Sequence, residues 1–341
     1  MSTAVIVRST RASRIGFVLL LGIIAMLATA PWWAGSANMR LITEIMFYLA
    51  LASMWNLLAG YAGLISVGQH AYVGFGGYIM FSCALFLGLT PLYAIPVAGL
   101  AGALISVPVA MLVFRLRGPY FAIGTWVVAE VFRLGAAQMQ SVGGGSGLSI
   151  PISVMRGLGS KSEREMLIYF VALAVCLGAV ALVYLLLRSR LGLALTAIRD
   201  NEVASASLGV KIGRVKLLVY VVTAAVTSMI GVLIFTTKLR ITPDAAFSVN
   251  DWTVFVIFIV VIGGIGTIEG PIIGTLLFFA LREFLADLGA IYLMILGLIA
   301  IVIMLVAPKG LWGLAVQRFG FTLFPVGYRV KGAASPDGSD A

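Results

Sequence analysis

The chain of 341 residues is 61% hydrophobic and only 11% charged, and its mean hydropathy is +1.10. Soluble domains carry about 25% charged residues, so this composition excludes an ordinary soluble protein and predicts an all-α integral membrane protein. A formal net charge of +10 would suggest nucleic-acid binding in a soluble domain. Here the cations fall at the ends of apolar segments, where the positive-inside rule places them, so membrane lipid and not nucleic acid is the expected contact.

Ten apolar segments approach the length of about 20 residues that a membrane-spanning helix needs. The third, eighth and ninth are short or interrupted by glycine, so a count of nine is also open. In chain order the segments are 15–33, 41–59, 70–89, 92–114, 120–139, 166–187, 217–237, 252–265, 271–288 and 291–307.

The first segment has a second interpretation as a signal peptide. Three arginines precede a short apolar run that ends in Ala28-Thr29-Ala30, which resembles a cleavage site. The sequence Pro31-Trp32-Trp33 that follows is more typical of an interfacial anchor, so a retained first span is favoured. N-terminal sequencing of the mature protein would decide between the two.

The positive charges are divided unequally between the two sides of these spans. With the N-terminus inside, 15 Lys and Arg residues fall in cytoplasmic segments and 6 on the other side. This asymmetry predicts that both termini are cytoplasmic. The predicted domains are a cytoplasmic N-terminal segment (1–14), a transmembrane domain (15–307) and a cytoplasmic tail (308–341), whose last ten residues have the composition of a disordered end.

Two glycine-rich segments, 60–78 and 263–274, interrupt apolar runs in the two halves of the chain. Broken helices at corresponding places in two halves point to internal repeats around a transport pathway, although close helix packing is the alternative for most of these glycines. Two polar residues beside the first break need a further explanation, because they suggest either a pathway or a span end; a structural role remains the alternative for the histidine. The candidates for the translocation path are Gln69, His70, Gly264 and Gly266, together with Glu130.

Charged residues within the predicted spans are few. Glu130 and Arg133 are three residues apart, so they share a helix face and can neutralise each other; an assembly pair and a pathway role both remain open. Glu44 has no obvious sequence partner and is expected to be hydrated near the outer end of its span. So few buried carboxylates argue mildly against proton-coupled transport.

Several blocks of sequence together resemble one family. They are, in order, "GLISVGQHAYVGFGGY", "RLRGPYFAIGTWVVAEVFRL", "GGGSGLSIP", "SRLGLALTAIRDNEVASASLGVKIGRVKLLVYVVTAAVTSMIGVL", "VIGGIGTIEGPIIGTLL" and "APKGLWGL". From residue 41 to residue 314 the chain is similar to the LivM-type permease subunits of the branched-chain amino-acid ABC importers. The resemblance implies a multi-pass permease in the bacterial inner membrane that moves branched-chain, and in broader systems other, amino acids into the cytoplasm.

The same resemblance implies the partners and the source of energy. They are a second homologous permease subunit, two ATP-binding subunits and an extracytoplasmic substrate-binding protein. This chain has no Gly-rich phosphate loop that ends in Gly-Lys-Ser/Thr, so no catalytic residue, cofactor or metal is expected on it, and ATP and Mg belong to the partners. Two cysteines in apolar runs, Cys83 and Cys176, and a single histidine likewise predict no disulfide framework and no metal cluster.

The segment of about 193–209 resembles the cytoplasmic coupling helix that docks on the ATP-binding subunit in such importers. Its helix formers and small residues permit close approach, and Gly209 is expected to end the helix in a left-handed cap. Against the general importer signature of Glu-Ala-Ala the chain has Val203-Ala204-Ser205. A solvated loop that binds anionic lipid is the alternative. The predicted coupling residues are Arg199, Asp200, Asn201, Glu202, Ala204 and Gly209.

Three other functions remain open from the sequence. A urea or short-chain amide importer has permease subunits that closely resemble these. An ion-coupled secondary transporter or channel would work without an ATPase. A structural membrane scaffold is disfavoured by the two glycine breaks.

Overall fold

A computed structural model describes residues 5–7, 11–150, 154, 157, 159–285, 288–289, 291–307, 309–319, 324 and 329–331. The predicted disordered end, 332–341, lies outside these residues. Almost all regular structure is helical. The main helices are α1 (Arg11–Trp33), α2 (Ser36–Asn56), α3 (His70–Phe86), α4 (Pro91–Val113), α5 (Pro119–Gln138), α6 (Lys161–Arg188), α7 (Arg190–Asp200), α8 (Glu202–Ser207), α9 (Ile212–Lys238), α10 (Pro243–Ala246), α11 (Phe255–Gly263), α12 (Glu269–Phe284), α13 (Ile291–Val306) and α14 (Gly310–Phe319).

Short elements complete the fold. A π-helical turn, Leu57–Tyr61, extends α2, and a second one, Asn250–Val254, leads into α11. Two-stranded antiparallel sheets join β1 (Val5–Val7) to β4 (Arg329–Lys331) and β2 (Leu148–Ser149) to β3 (Arg240–Ile241). The first sheet pairs residues near the two ends of the chain.

Each of the ten predicted apolar segments contains or overlaps a helix. Seven stretches of the described chain are long and apolar enough to cross a membrane. The third and ninth segments are the short helices α3 and α12, of 17 and 16 residues, as predicted. The eighth contains α11, of 9 residues, which with α10 and the π-helical turn belongs to the stretch Pro243–Gly263, one of the seven. The all-helical membrane fold is therefore confirmed.

The centre of the bundle is α9, which packs against α3 and α4. Glycine makes this packing close, because a Cβ on Gly76 would lie 2.0 Å from the Ser228 carbonyl oxygen and one on Gly231 would lie 2.2 Å from that of Val73. Small residues let helix backbones approach in a membrane, where lipid offers no hydrophobic driving force for association. The packing interpretation thus holds for these glycines.

The two glycine breaks have related conformations. Gly63 in the first break and Gly266 in the second are both left-handed, with φ of 68° and 75°. Gly68 and Gly270, further along each break, lie against backbone: a Cβ on either would be 2.1 Å from a carbonyl oxygen. The loose sequence match is therefore also a match of local structure, which supports an internal repeat.

The glycine-rich loop after α5 is ordered. Gly143, Gly144 and Gly147 have positive φ, and a Cβ on Gly147 would lie 2.2 Å from the Ile241 carbonyl oxygen. Gly147 therefore packs closely on β3, while Gly143 packs within the loop itself.

Candidate functional site

The predicted coupling helix is two helices, α7 and α8, that meet at Asn201. We call residues 190–211 the polar segment. Asn201 is extended (φ −157°, ψ 106°) and its side-chain oxygen accepts from the Ala204 N–H at 3.0 Å. An asparagine with this backbone is a strong N-cap, so it ends one helix and starts the next. The run of helix formers predicts one continuous helix, and the cap at Asn201 divides it into two.

Helix α8 ends in the predicted left-handed cap at Gly209, whose φ is +83°. The Val210 N–H donates to the Ser205 carbonyl at 3.1 Å, and the Gly209 N–H donates to that of Ala206 at 3.0 Å. This pair of bonds is a Schellman motif, so the cap prediction is confirmed.

Two large apolar side chains are exposed on α8 and at its C-terminal end. Val203 is 78% exposed and Leu208 is 83% exposed, while Ser205 faces the protein and is buried. Glu202 accepts from Lys216 Nζ at 2.9 Å, which ties α8 to the start of α9. Asp200 is mostly exposed and lies 3.6 Å from Arg199. The segment thus presents two exposed apolar side chains, which we call the apolar tip, among charged residues.

Arg199 connects this segment to the place where the two glycine breaks meet. A Cβ on Gly266 would lie 3.2 Å from the Gly60 carbonyl oxygen and 3.4 Å from Arg199 Nη1. We call this contact between residues 56–60 and 264–267 the junction. The sequence singled out Arg199 and Gly266 for different roles, and the structure brings them together.

Asn56 joins the two breaks by hydrogen bonds. Its side-chain nitrogen donates to the Thr267 carbonyl at 2.7 Å, and its side-chain oxygen accepts from the Gly266 N–H at 2.8 Å. Sequence reasoning missed this residue. The available signal was an amide inside the apolar run of α2, because a polar side chain at membrane depth is expected to have a partner.

Gln69 and His70 lie where the non-helical part of the first break ends and α3 begins, and both are buried. Gln69 donates to the Thr227 hydroxyl at 2.7 Å, and His70 Nδ1 lies 2.9 Å from the Thr253 hydroxyl. Non-helical backbone at membrane depth is tolerated when it is enclosed by protein. Here the Val67 N–H donates to the Thr125 hydroxyl at 3.1 Å and the His70 N–H donates to the Thr253 hydroxyl at 3.2 Å. The arrangement favours the structural interpretation of His70.

The remaining candidates, Gly264 and Glu130, make contacts with other elements. Gly264 (φ 135°) packs against the start of α14, since a Cβ on Gly310 would lie 2.4 Å from its Cα. Glu130 pairs with Arg133, as predicted, and Arg133 Nη1 also donates to Asp244 at 2.6 Å. This cluster links α5 to α10.

Glu44 has a partner that the sequence did not reveal. Arg282 donates to both of its carboxylate oxygens, at 2.8 and 2.9 Å. Glu44 is therefore paired as well as partly exposed; the partner was not visible in the sequence because α2 and α12 are distant in the chain and adjacent in space. Within the described part of the chain, no group of three His, Cys, Asp or Glu side chains could hold a metal ion.

Comparison with known proteins gives the family. The model of the branched-chain amino acid transport system permease component family matches residues 38–308. The high-affinity branched-chain amino acid transport system permease proteins LivM of Escherichia coli K12 and Salmonella typhimurium LT2 are each 28% identical over 315 residues, which cover 86% of this chain and 74% of the relative. No solved structure matches the chain. A chain with these broken spans, matched over most of its length, belongs to the family of branched-chain amino acid transport permease components.

Proposed function

We propose that this multi-pass permease is one transmembrane subunit of an ATP-driven importer for branched-chain amino acids. Its partners are a second homologous permease subunit, two ATP-binding subunits that carry ATP and Mg, and an extracytoplasmic binding protein. The polar segment and both termini face the cytoplasm of a bacterial inner membrane.

The observation that carries this proposal is the form of the polar segment. Val203 on α8 and Leu208 at its C-terminal end are 78% and 83% exposed. An apolar tip with a charged rim is typical of a protein interface.

The junction supplies a route from this interface to the spans. Movement of α7 would displace Arg199, which lies against Gly266, where the two breaks are held together by Asn56. A ligand shifts a conformational equilibrium only through different affinities for its states. ATP binding on the partners would therefore act by favouring one position of the polar segment.

Truncation of the apolar tip tests the coupling role. The double variant Val203→Ser/Leu208→Ser should lower ATP hydrolysis stimulated by the loaded binding protein at least tenfold in the reconstituted importer, because about 1.4 kcal/mol of lost contact is a tenfold loss of binding. The measurement is phosphate release from proteoliposomes.

Phe284→Ser is the matched control, since Phe284 is 85% exposed at the end of α12 away from the junction. Stimulated hydrolysis should stay within twofold of the parent in this variant. Full stimulation in the double variant would rule out docking through α8.

Substrate and energy source need a separate experiment. Cells that carry the gene should take up labelled leucine in competition with isoleucine and valine, and ATP depletion with the ion gradient maintained should abolish the uptake. Uptake of urea in place of leucine would identify the protein as a urea importer permease. Leucine uptake that survives ATP depletion would favour an ion-coupled transporter.

A further inference from the structure

A cavity of about 1090 Å³ lies at the end of the bundle opposite the polar segment. The starts of α2 and α6 and the end of α9 form its wall, whereas the polar segment joins the end of α6 to the start of α9. None of the residues predicted for translocation or coupling lines it. If the polar segment is cytoplasmic, this cavity faces the side from which substrate arrives.

Charges of both signs line the cavity in nearly equal number, with five cationic and four anionic side chains. Two pairs neutralise each other within the wall: Arg40 with Glu165 at 2.7 Å, and Arg282 with Glu44 at 2.8 Å. Among the described residues, the other five charged side chains of the wall take part in no ion pair: Lys161, Arg164, Lys238, Asp251 and Glu283. Of these, Lys238 is in contact with the aromatic ring of Trp252, and Asp251 lies closest to Trp252 along the chain. A wall with available charges of both signs suits a molecule that carries an ammonium and a carboxylate together.

Aromatic rings lie beside these two charges. Lys238 Nζ is 4.6 Å from the centroid of the Trp252 ring, and Trp252 follows Asp251 in the chain. The Tyr48 and Trp252 rings, 6.1 Å apart, also line the cavity. Apolar ring faces next to charged groups fit a zwitterion with an apolar side chain better than they fit urea, which has no charge and no apolar part.

The backbone is irregular at the same place. Asp251 and Trp252 lie in the π-helical turn Asn250–Val254, and such turns are frequent at functional sites. Leu239, which follows Lys238 and also lines the cavity, is the one non-glycine residue with positive φ (58°) in the described chain. Strained backbone of this kind persists where the surrounding structure fixes it, often at ligand sites.

We propose that this cavity is an entry site for zwitterionic amino acids, in which Asp251 receives the ammonium group and Lys238 the carboxylate. The proposal rests on the proposed importer function and adds to it a substrate site on the permease itself. Recognition by the permease would then repeat the selection made by the binding protein.

The test is leucine uptake by proteoliposomes that hold the complete importer, with leucine-loaded binding protein in excess. Asp251→Asn and Lys238→Gln should each lower uptake at least tenfold, and Asp251→Glu should recover at least half of the parent rate. Arg240→Gln is the matched control, because this nearby exposed cation lies outside the cavity wall; its uptake should stay within twofold of the parent. Parent-like uptake by both Asp251→Asn and Lys238→Gln would overturn the proposal.

A second measurement is independent of transport rate. In Thr237→Cys, at an exposed position of the cavity wall that makes neither proposed contact, a membrane-impermeant thiol reagent should label the new cysteine, and leucine should slow the labelling at least fivefold while urea does not. Native Cys83 and Cys176 are buried and give little background. Labelling that leucine leaves unchanged would overturn the entry site even if the parent imports leucine, whereas a parent that imports no leucine would overturn the proposed function.

Discussion

Replacing Asn56 by leucine is expected to lower leucine uptake by the reconstituted importer at least tenfold. The change keeps the number and branching of the side-chain heavy atoms but leaves the Thr267 carbonyl and the Gly266 N–H without the partners they have at 2.7 and 2.8 Å. An unsatisfied buried group costs about 1–3 kcal/mol. Because both groups are only partly buried, we take about 1 kcal/mol for each, and a total of about 2 kcal/mol exceeds a tenfold change in the equilibrium that keeps the junction closed.

Ser53→Ala is the control for this variant. Ser53 lies one turn earlier on α2, is also buried, and donates to the Leu49 carbonyl within its own helix at 2.8 Å. Its loss leaves no orphaned backbone group, so uptake should stay within twofold of the parent. Equal uptake by Asn56→Leu and Ser53→Ala would mean that the amide does not hold the two breaks together.

Much of the fold follows from one-dimensional patterns. The apolar segments predict the spans because a helix across lipid must satisfy its own backbone, and the short third and ninth segments are short helices in the structure. The cap at Gly209 was also predictable, since it depends on neighbouring residues alone.

The arrangement of the site was less predictable because it depends on contacts between distant parts of the chain. Glu44 and Arg282 are 238 residues apart in sequence, and Asn56 bonds to residues more than 200 positions away. In the sequence each of these residues is a single polar side chain within an apolar segment, and nothing there shows which partner it has. The end of α7 at Asn201 was missed for a local reason. A single cap residue between helix formers hardly changes the helix propensity averaged over the whole segment.

Two glycines of the second break are required for different reasons, one for close packing and one for its backbone conformation. A Cβ on Gly263 would lie 1.9 Å from the Gly270 carbonyl oxygen, and a backbone atom in a crossing of α11 and α12 cannot yield without moving a helix. Gly266 is different, since it has positive φ and a Cβ there would meet its nearest atom at 3.2 Å. The first glycine is required for space, and the second is required mainly for its left-handed backbone.

Gly263→Ala should therefore be the most damaging of three alanine variants. Overpacking costs about 1–3 kcal/mol, and contact with backbone places this site at the upper end. Gly266→Ala should cost about 1 kcal/mol, because a left-handed alanine is disfavoured by about 1–2 kcal/mol. Gly178→Ala in α6, where a Cβ would meet nothing within 4 Å, should be neutral or stabilising by up to about 1 kcal/mol. Thermal unfolding of the three purified variants, followed by loss of the monodisperse peak in size-exclusion chromatography, should give this order. If Gly266→Ala were the least stable of the three, the junction and not the α11–α12 crossing would be the part of the second break on which folding most depends.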